Sequence, residues 1–197
     1  MKALLLAAGF GSRLGNITAL TPKPMVKVKD KPIISFCLDQ LAAAGVAEVV
    51  VNTHYLAAHI EEFLMRYEGP LKIIASFEEK LLGTAGTTKK HFDYLATDDF
   101  IVMHADNYFV SSLHDFVEAH KVRKVGKFGT LGTFQTEDPK NCGVLVLNPD
   151  KTISEFHEKV ENPPSSIANA AIYAFTPHIR EALFNLDAET LDLSRHL

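Results

Sequence analysis

Residues 1–25, MKALLLAAGFGSRLGNITALTPKPM, decide how this chain is read. The apolar run at 3–8 predicts a buried strand. It empties into a glycine-rich loop, Gly9-Phe10-Gly11-Ser12-Arg13. The prolines of Thr21-Pro22-Lys23-Pro24-Met25 then hold Lys23 rigid. Glycines let a backbone approach an anion closely and turn its N–H groups toward it. Arg13 offers a planar fork to phosphate oxygens and Lys23 a compact point charge. Strand, loop and two cations describe a seat for a polyphosphate; the plainer alternative is a tight turn with two surface cations. Two known phosphate motifs do not fit. The dinucleotide fingerprint needs a third glycine where Leu14 stands, and the P-loop needs a terminal Gly-Lys-Ser/Thr.

Working outward, strands and helices alternate with short links. A helix opens at Lys31-Pro32 and runs to about residue 44, where Gly45 caps it. A β-branched strand covers 48–52, a second amphipathic helix 56–67, and a third strand 71–76 after the Gly69-Pro70 break. A helix follows Glu78 and extends to about residue 95, a central strand covers 100–104, and a helix covers 113–121. This alternation predicts βαβ units on a mainly parallel sheet. The second half is richer in strands, at 127–135, 142–147, 152–157 and 169–175, with a last helix over 177–186.

The chain has 197 residues, of which 47% are hydrophobic, enough for one α/β domain with a real core. Its net charge of −4 disfavours nonspecific nucleic-acid binding. Within residues 1–31, Lys2, Arg13, Lys23, Lys27, Lys29 and Lys31 face only Asp30, which suits a local anion site. No apolar stretch is long enough for a membrane span. Cys37 and Cys142 read as free thiols of a reducing, cytoplasmic setting, and the nine histidines form no cluster with ligand spacing. Asp106, after the apolar strand at 100–104, sits where open α/β sheets bind ligands and suits a hard divalent cation. The alternative there is a helix cap.

The joint signature LAAGFGSRL followed by TPKPM resembles that of the sugar-1-phosphate nucleotidylyltransferases, also called NDP-sugar pyrophosphorylases. LGTAG at 82–86 matches their second motif, and Ala105-Asp106-Asn107 matches a third with Ala105 in place of the common glycine. The resemblance implies a Rossmann-like three-layer α/β/α domain with a predominantly parallel mixed sheet. One domain would span 1–197, with a nucleotide half at about 1–110 and a sugar-phosphate half at about 111–197. It implies transfer of a nucleoside monophosphate from an NTP to a sugar-1-phosphate, with release of pyrophosphate. Arg13 and Lys23 would be catalytic. Ala8, Gly9, Gly11, Ser12, Arg13, Glu78, Gly83 and Thr84 would bind the nucleotide, and Asp106 would hold Mg²⁺. Asn107, Gly143, Glu158, Lys159 and Asn169 would bind the sugar phosphate, with Val160 and Ala171 departing from the family's proline and glycine.

Glu78 stands where uracil- or thymine-using members carry glutamine. A carboxylate accepts from guanine N1–H and its amino group, which favours GTP and a mannose- or heptose-type sugar. A UTP- or dTTP-dependent enzyme, a transferase for another small phosphate, a glycosyltransferase and a noncatalytic nucleotide-binding regulator are the alternatives. A second metal-binding acid of the family, which usually lies beyond the segment at 191–197, has no convincing match in 107–197; the chain is then either truncated at its C-terminal end or a shorter variant that uses one carboxylate with water and phosphate oxygens. The expected partners are NTP and sugar-1-phosphate, without nucleic acid or membrane, and a homo-oligomer is compatible with the sequence.

Overall fold

Strand β1 (Lys2–Leu6) is apolar on both faces, and Leu4 and Leu5 are both fully buried on opposite sides of the sheet. Such a strand belongs in a sheet covered on both faces. In the computed structural model, which describes residues 1–11, 18, 20–186 and 191–196, it lies between β4 (Glu48–Thr53) and β6 (Phe100–His104). It runs parallel to both, with Leu4 opposite Val50 and Val102. Strand β5 (Lys72–Phe77) extends the parallel half beyond β4.

The other half is antiparallel and is organised by β10 (Ile167–Phe175). Its last residues pair with β6, while its length also serves β7 (Gly129–Gln135) and, at Ala168, β8 (Gly143–Leu147). Strand β9 (Ile153–Glu158) closes the edge against β8. The order is β5-β4-β1-β6-β10-β8-β9, with β7 also on β10. The β10–β7 register shifts between Asn169 and Tyr173, and Ala171 there has φ +53°, a conformation that costs an alanine but not a glycine. A small ribbon, β2 (Lys27–Val28) with β3 (Lys31–Pro32), turns through Lys29 and Asp30, both at positive φ as a two-residue hairpin loop requires.

Helices α1 (Ile33–Ala43), α2 (Ala57–Met65) and α5 (Leu113–Lys121) cover one face, packing Ile34, Leu38, Leu41, Ile60 and Val117 on Leu5, Val51 and Met103. Helices α3 (Gly83–Lys90), α4 (Phe92–Leu95), α6 (Arg180–Phe184) and α7 (Leu193–His196) cover the other. There Ala85, Phe92, Leu95, Leu183 and Leu193 pack on Leu4, Val50 and Val102. The three-layer expectation holds.

Some boundaries differ from the sequence reading. The helix expected after Glu78 starts only at Gly83 and breaks at His91 (φ −101°, ψ 7°) into α3 and α4. The helix expected over 177–186 begins as a 3₁₀ turn, Pro177–Ile179, whose His178 N–H is capped by Thr176 Oγ1, before α6 takes over. Ser112, not the Asp106-Asn107 pair, caps α5, accepting from Asp115 N–H. Among the described residues no helix is long and apolar enough to cross a membrane.

His120 illustrates what burial costs. Its side chain is fully buried, with Nδ1 2.8 Å from Thr130 Oγ1 and Nε2 3.2 Å from Asp99 Oδ2. Burial pushes its pKa below the ordinary imidazole value, the Arg123 charge adds to this, and Asp99 opposes it. Burial lowers His91 in the same way. An unfolded imidazole takes up a proton near pH 6.5 that these folded ones resist, so stability rises with pH through that region and is lost as pH falls below it. Thermal melting should therefore give a lower Tm at pH 5.5 than at pH 7.5; an unchanged or higher Tm at pH 5.5 would contradict this account.

Candidate functional site

The parallel strands all end on one edge, and the residues just beyond them wall a cavity of about 260 Å³. Ala7, Ala8 and Gly9 follow β1, Asn52 is the next-to-last residue of β4, Glu78 follows β5, His104 ends β6 and Asp106 lies just beyond it. Lys23, Pro24, Gly83, Thr84, Thr87 and Asp192 complete much of the rest. This is the carboxyl edge on either side of β1, where strand order reverses.

One wall is a buried polar network. Asn52 Oδ1 accepts from Ala7 N–H at 2.8 Å, and Asn52 Nδ2 donates to Glu78 Oε1 at 3.1 Å and Thr87 Oγ1 at 3.3 Å. Thr87 Oγ1 donates to the same Glu78 oxygen at 2.6 Å, while Glu78 Oε2 takes only a 3.4 Å bond from Leu82 N–H. Glu78 is 2% exposed, so these donors offset the cost of removing a carboxylate from water.

The opposite wall carries charge. A 3₁₀ turn, Lys23–Met25, with buried Pro24, aims Lys23 across the cavity, and its Nζ meets Asp106 Oδ2 at 2.7 Å. A Cβ on Gly11 (φ +65°) would lie 3.1 Å from Lys23 Cβ, so this glycine lets the loop pack against the lysine stem. His104 Nδ1 lies 3.9 Å from Asp106 Oδ1; burial pushes its pKa down, against the pull of Asp106. Cys37 Sγ donates to Asn107 O at 3.3 Å, and burial, helped by the Asp106 charge, pushes its thiol up to about 12. Cys37 is a free, buried thiol.

LGTAG makes long-range contacts with the end of the chain. Ala85 N–H and Gly86 N–H donate to Leu191 O at 2.8 and 3.3 Å, and Leu191 N–H donates to Leu82 O at 3.1 Å. Thr84 N–H and Oγ1 each lie 3.4 Å from Asp192 Oδ1, and Leu193 N–H donates to Thr84 Oγ1 at 2.7 Å. Gly83 has φ +75°, and a Cβ there would sit 2.3 Å from Leu191 O. The motif is thus a docking face for residues 191–193, and its side toward the cavity is Gly83 and Thr84.

The cavity unites Ala8, Gly9, Lys23, Glu78, Gly83, Thr84 and Asp106 of the expected site residues. Ser12 and Arg13 lie outside the described residues. Asn107, Gly143, Glu158, Lys159 and Asn169 do not line this cavity. Four of them gather on the antiparallel strands. Gly143 pairs with Glu158, whose Oε2 would be 2.6 Å from a Cβ at Gly143. Lys159 (φ +51°) brings Nζ to 3.7 Å from Glu158 Oε1. Asn169 donates to Tyr173 OH at 2.8 Å and accepts from Ala171 N–H at 2.7 Å. Asn107 donates to Ala170 O at 2.7 Å, which ties β6 to this group. Tyr173 is raised by burial first, and the charges of Glu158 and Asp192 both add to the shift.

Sequence reasoning missed Asp192, His104 and Asn52. Asp192 shares the cavity wall with Asp106, a place the sequence reading gave to no residue near the end of the chain. Its signal was a lone charge between leucines in Leu191-Asp192-Leu193, both of which are buried. Among the described residues no group of three His, Cys, Asp or Glu could hold a metal by itself. The donor set is nonetheless of the hard-oxygen kind, and Asp106 already accepts a cation, the Lys23 ammonium.

The family model for nucleotidyl transferases matches residues 2–195. A mannose-1-phosphate guanyltransferase of Neurospora crassa is 36% identical over 188 residues, covering 91% of this chain and 50% of that protein. One from Schizosaccharomyces pombe is 34% identical over 189 residues, covering 93% and 52%. The chain thus spans about half the length of the curated relatives it matches. Among solved structures, a Bacillus anthracis protein assigned as a glucose-1-phosphate thymidylyltransferase superposes with a TM-score of 0.86 at 25% identity, over 95% of this chain and 76% of that one.

Gly83→Ala tests the docking role of LGTAG. A left-handed alanine costs about 1–2 kcal/mol and the collision with the Leu191 carbonyl about 1–3 more. For a chain of this size each kcal/mol lowers Tm by about 2–4 °C, so a fall of several degrees is expected. An unchanged Tm would mean that residues 191–193 do not rest on this glycine.

Proposed function

Since this chain belongs to the nucleotidyl transferase family, we propose that it moves GMP from GTP to a mannose- or heptose-type sugar-1-phosphate, forming a GDP-sugar and releasing pyrophosphate. The observation that carries this reading is the Lys23–Asp106 pair at the end of β6, inside a cavity also walled by Gly9, Gly83 and Glu78. The mannose-1-phosphate guanyltransferase relatives support the choice of base and sugar.

A phosphate oxygen of the sugar-1-phosphate attacks the α-phosphorus of GTP. A new P–O bond forms as the bond to the β-phosphate oxygen breaks, and pyrophosphate leaves with that electron pair. The attacking oxygen is already anionic, so no base need remove a proton, and the catalyst's task is to position the reactants and balance charge. Lys23 would turn from Asp106 to the phosphates, where its ammonium meets the charge developing in transfer. The backbone at Gly9 and Gly11 would approach the triphosphate closely, with Arg13 on the leaving phosphates. Glu78 Oε1 is taken by Asn52 and Thr87, so Oε2 is the oxygen left to accept from guanine. Asp106 would hold Mg²⁺, which when bound neutralises negative charge on the triphosphate. The Gly143, Glu158, Lys159 and Asn169 group, tied to β6 through Asn107, would receive the sugar and its phosphate.

Removing one charge-stabilising contact of this kind costs about 10²–10³ in rate. Lys23→Ala and Asp106→Asn should each therefore cut kcat by at least that factor, read as pyrophosphate release with Mg²⁺; near wild-type rates in either variant would overturn these roles. Substrate choice is read by crossing four NTPs with a panel of sugar-1-phosphates. Release with GTP and mannose- or heptose-1-phosphate alone is expected. Release with UTP or dTTP would keep the reaction and discard the Glu78 argument. Nucleotide binding without release across the panel would favour the noncatalytic alternative.

A further inference from the structure

Helix α3 is capped from more than a hundred residues away. Residues 82–86 and 191–193 exchange backbone bonds in both directions, from Ala85 and Gly86 N–H to Leu191 O and from Leu191 N–H to Leu82 O. Thr84 is the one residue whose side chain faces both ways across this junction. Its Oγ1 accepts from Leu193 N–H at 2.7 Å and lies 3.4 Å from Asp192 Oδ1, with its own N–H also 3.4 Å from that oxygen. Asp192 sits between Leu191 and Leu193, which are 5% and 4% exposed and anchored in the core shared with Phe92, Leu95 and Leu183. Asp192 itself lies on the cavity wall that also carries Asp106 and Lys23.

We propose that Thr84 is a positioning residue that holds Asp192 on the cavity wall, as a carboxylate in addition to Glu78 and Asp106. Thr84 of the LGTAG motif then serves the reaction through this acid rather than by touching the nucleotide. The proposal rests on the transferase reading for its consequence in turnover, but the clamp itself is a statement about the fold. Asp192 adds negative charge to the cavity that Asp106 also lines, to which a cation carried by the triphosphate would be drawn. Losing the Thr84 hydroxyl frees the Leu193 amide and removes one of the contacts that orient the Asp192 carboxylate.

The test uses Thr84→Val, Thr84→Ser, Asp192→Asn and the Thr84→Val/Asp192→Asn double variant. Hydrogen exchange at the Leu193 amide should quicken about tenfold or more in Thr84→Val, as expected for one lost hydrogen bond, and return to normal in Thr84→Ser. Exchange at Val102 in β6 should not move, which separates a local clamp from general unfolding. In pyrophosphate release, Thr84→Val and Asp192→Asn should each lower kcat about tenfold with the GTP KM nearly unchanged, and the double variant should be no worse than either alone. Unchanged exchange at Leu193 would overturn the clamp. A raised GTP KM in Thr84→Val, additive with Asp192→Asn, would overturn the positioning role and make Thr84 a nucleotide contact. If wild type releases no pyrophosphate with any substrate, the transferase reading falls, and the Leu193 exchange still decides the clamp.

Discussion

The site depends on one buried amide. Asn52 is the next-to-last residue of β4, yet its side chain bonds to the backbone of Ala7 beyond β1, to Glu78 beyond β5 and to Thr87 in α3. Four separate elements meet at one side chain that is 3% exposed. A buried network of this kind is stable only when every member is satisfied, because a lone donor or acceptor left there keeps its full desolvation cost. The Ala8-Gly9 backbone and the Glu78 carboxylate therefore stand in fixed relation to each other before any ligand arrives.

Across the cavity the constraint is electrostatic. Lys23 and Asp106 are 83 residues apart in sequence and 2.7 Å apart in space. Both are about one-third exposed, so water screens the pair and its contribution to stability is small. Its importance is chemical. A carboxylate and an ammonium kept at the mouth of a cleft can each be handed to a ligand of opposite charge at little cost. The rigid side, built on Asn52 and Glu78, and the exchangeable side, built on Lys23 and Asp106, suit a site that must orient a base while accommodating phosphates.

Much of the fold was legible along the chain. Apolar runs and helical spacing placed β1, β6, α1 and α5 within a residue or two, since local periodicity and the burial it implies agree there. The break at His91 was not legible, because no glycine or proline stands within four residues of it to mark an end. The motif residues Gly9, Lys23, Gly83 and Asp106 were found because each is a residue type that its place in a strand-end loop makes informative. Asp192 and Asn52 were not, because one acid between leucines and one amide at a strand end are ordinary until their neighbours in space are known.

The sequence by itself determined the alternation of strands and helices, the carboxyl-edge position of the loops and the family signature, all of which depend on residue type and local spacing. The tertiary structure alone decided three things. It bent β10 around Ala171, at positive φ, so that one strand serves β6, β7 and β8. It turned LGTAG into the dock for residues 191–193, with the glycine demanded by a carbonyl 2.3 Å from where a Cβ would stand. It also set Lys23 on Asp106 and kept the Glu158 group off the cavity wall. The physical reason is common to all three. Each is a contact between segments distant in the chain, and such contacts depend on how the layers close rather than on what any one segment prefers.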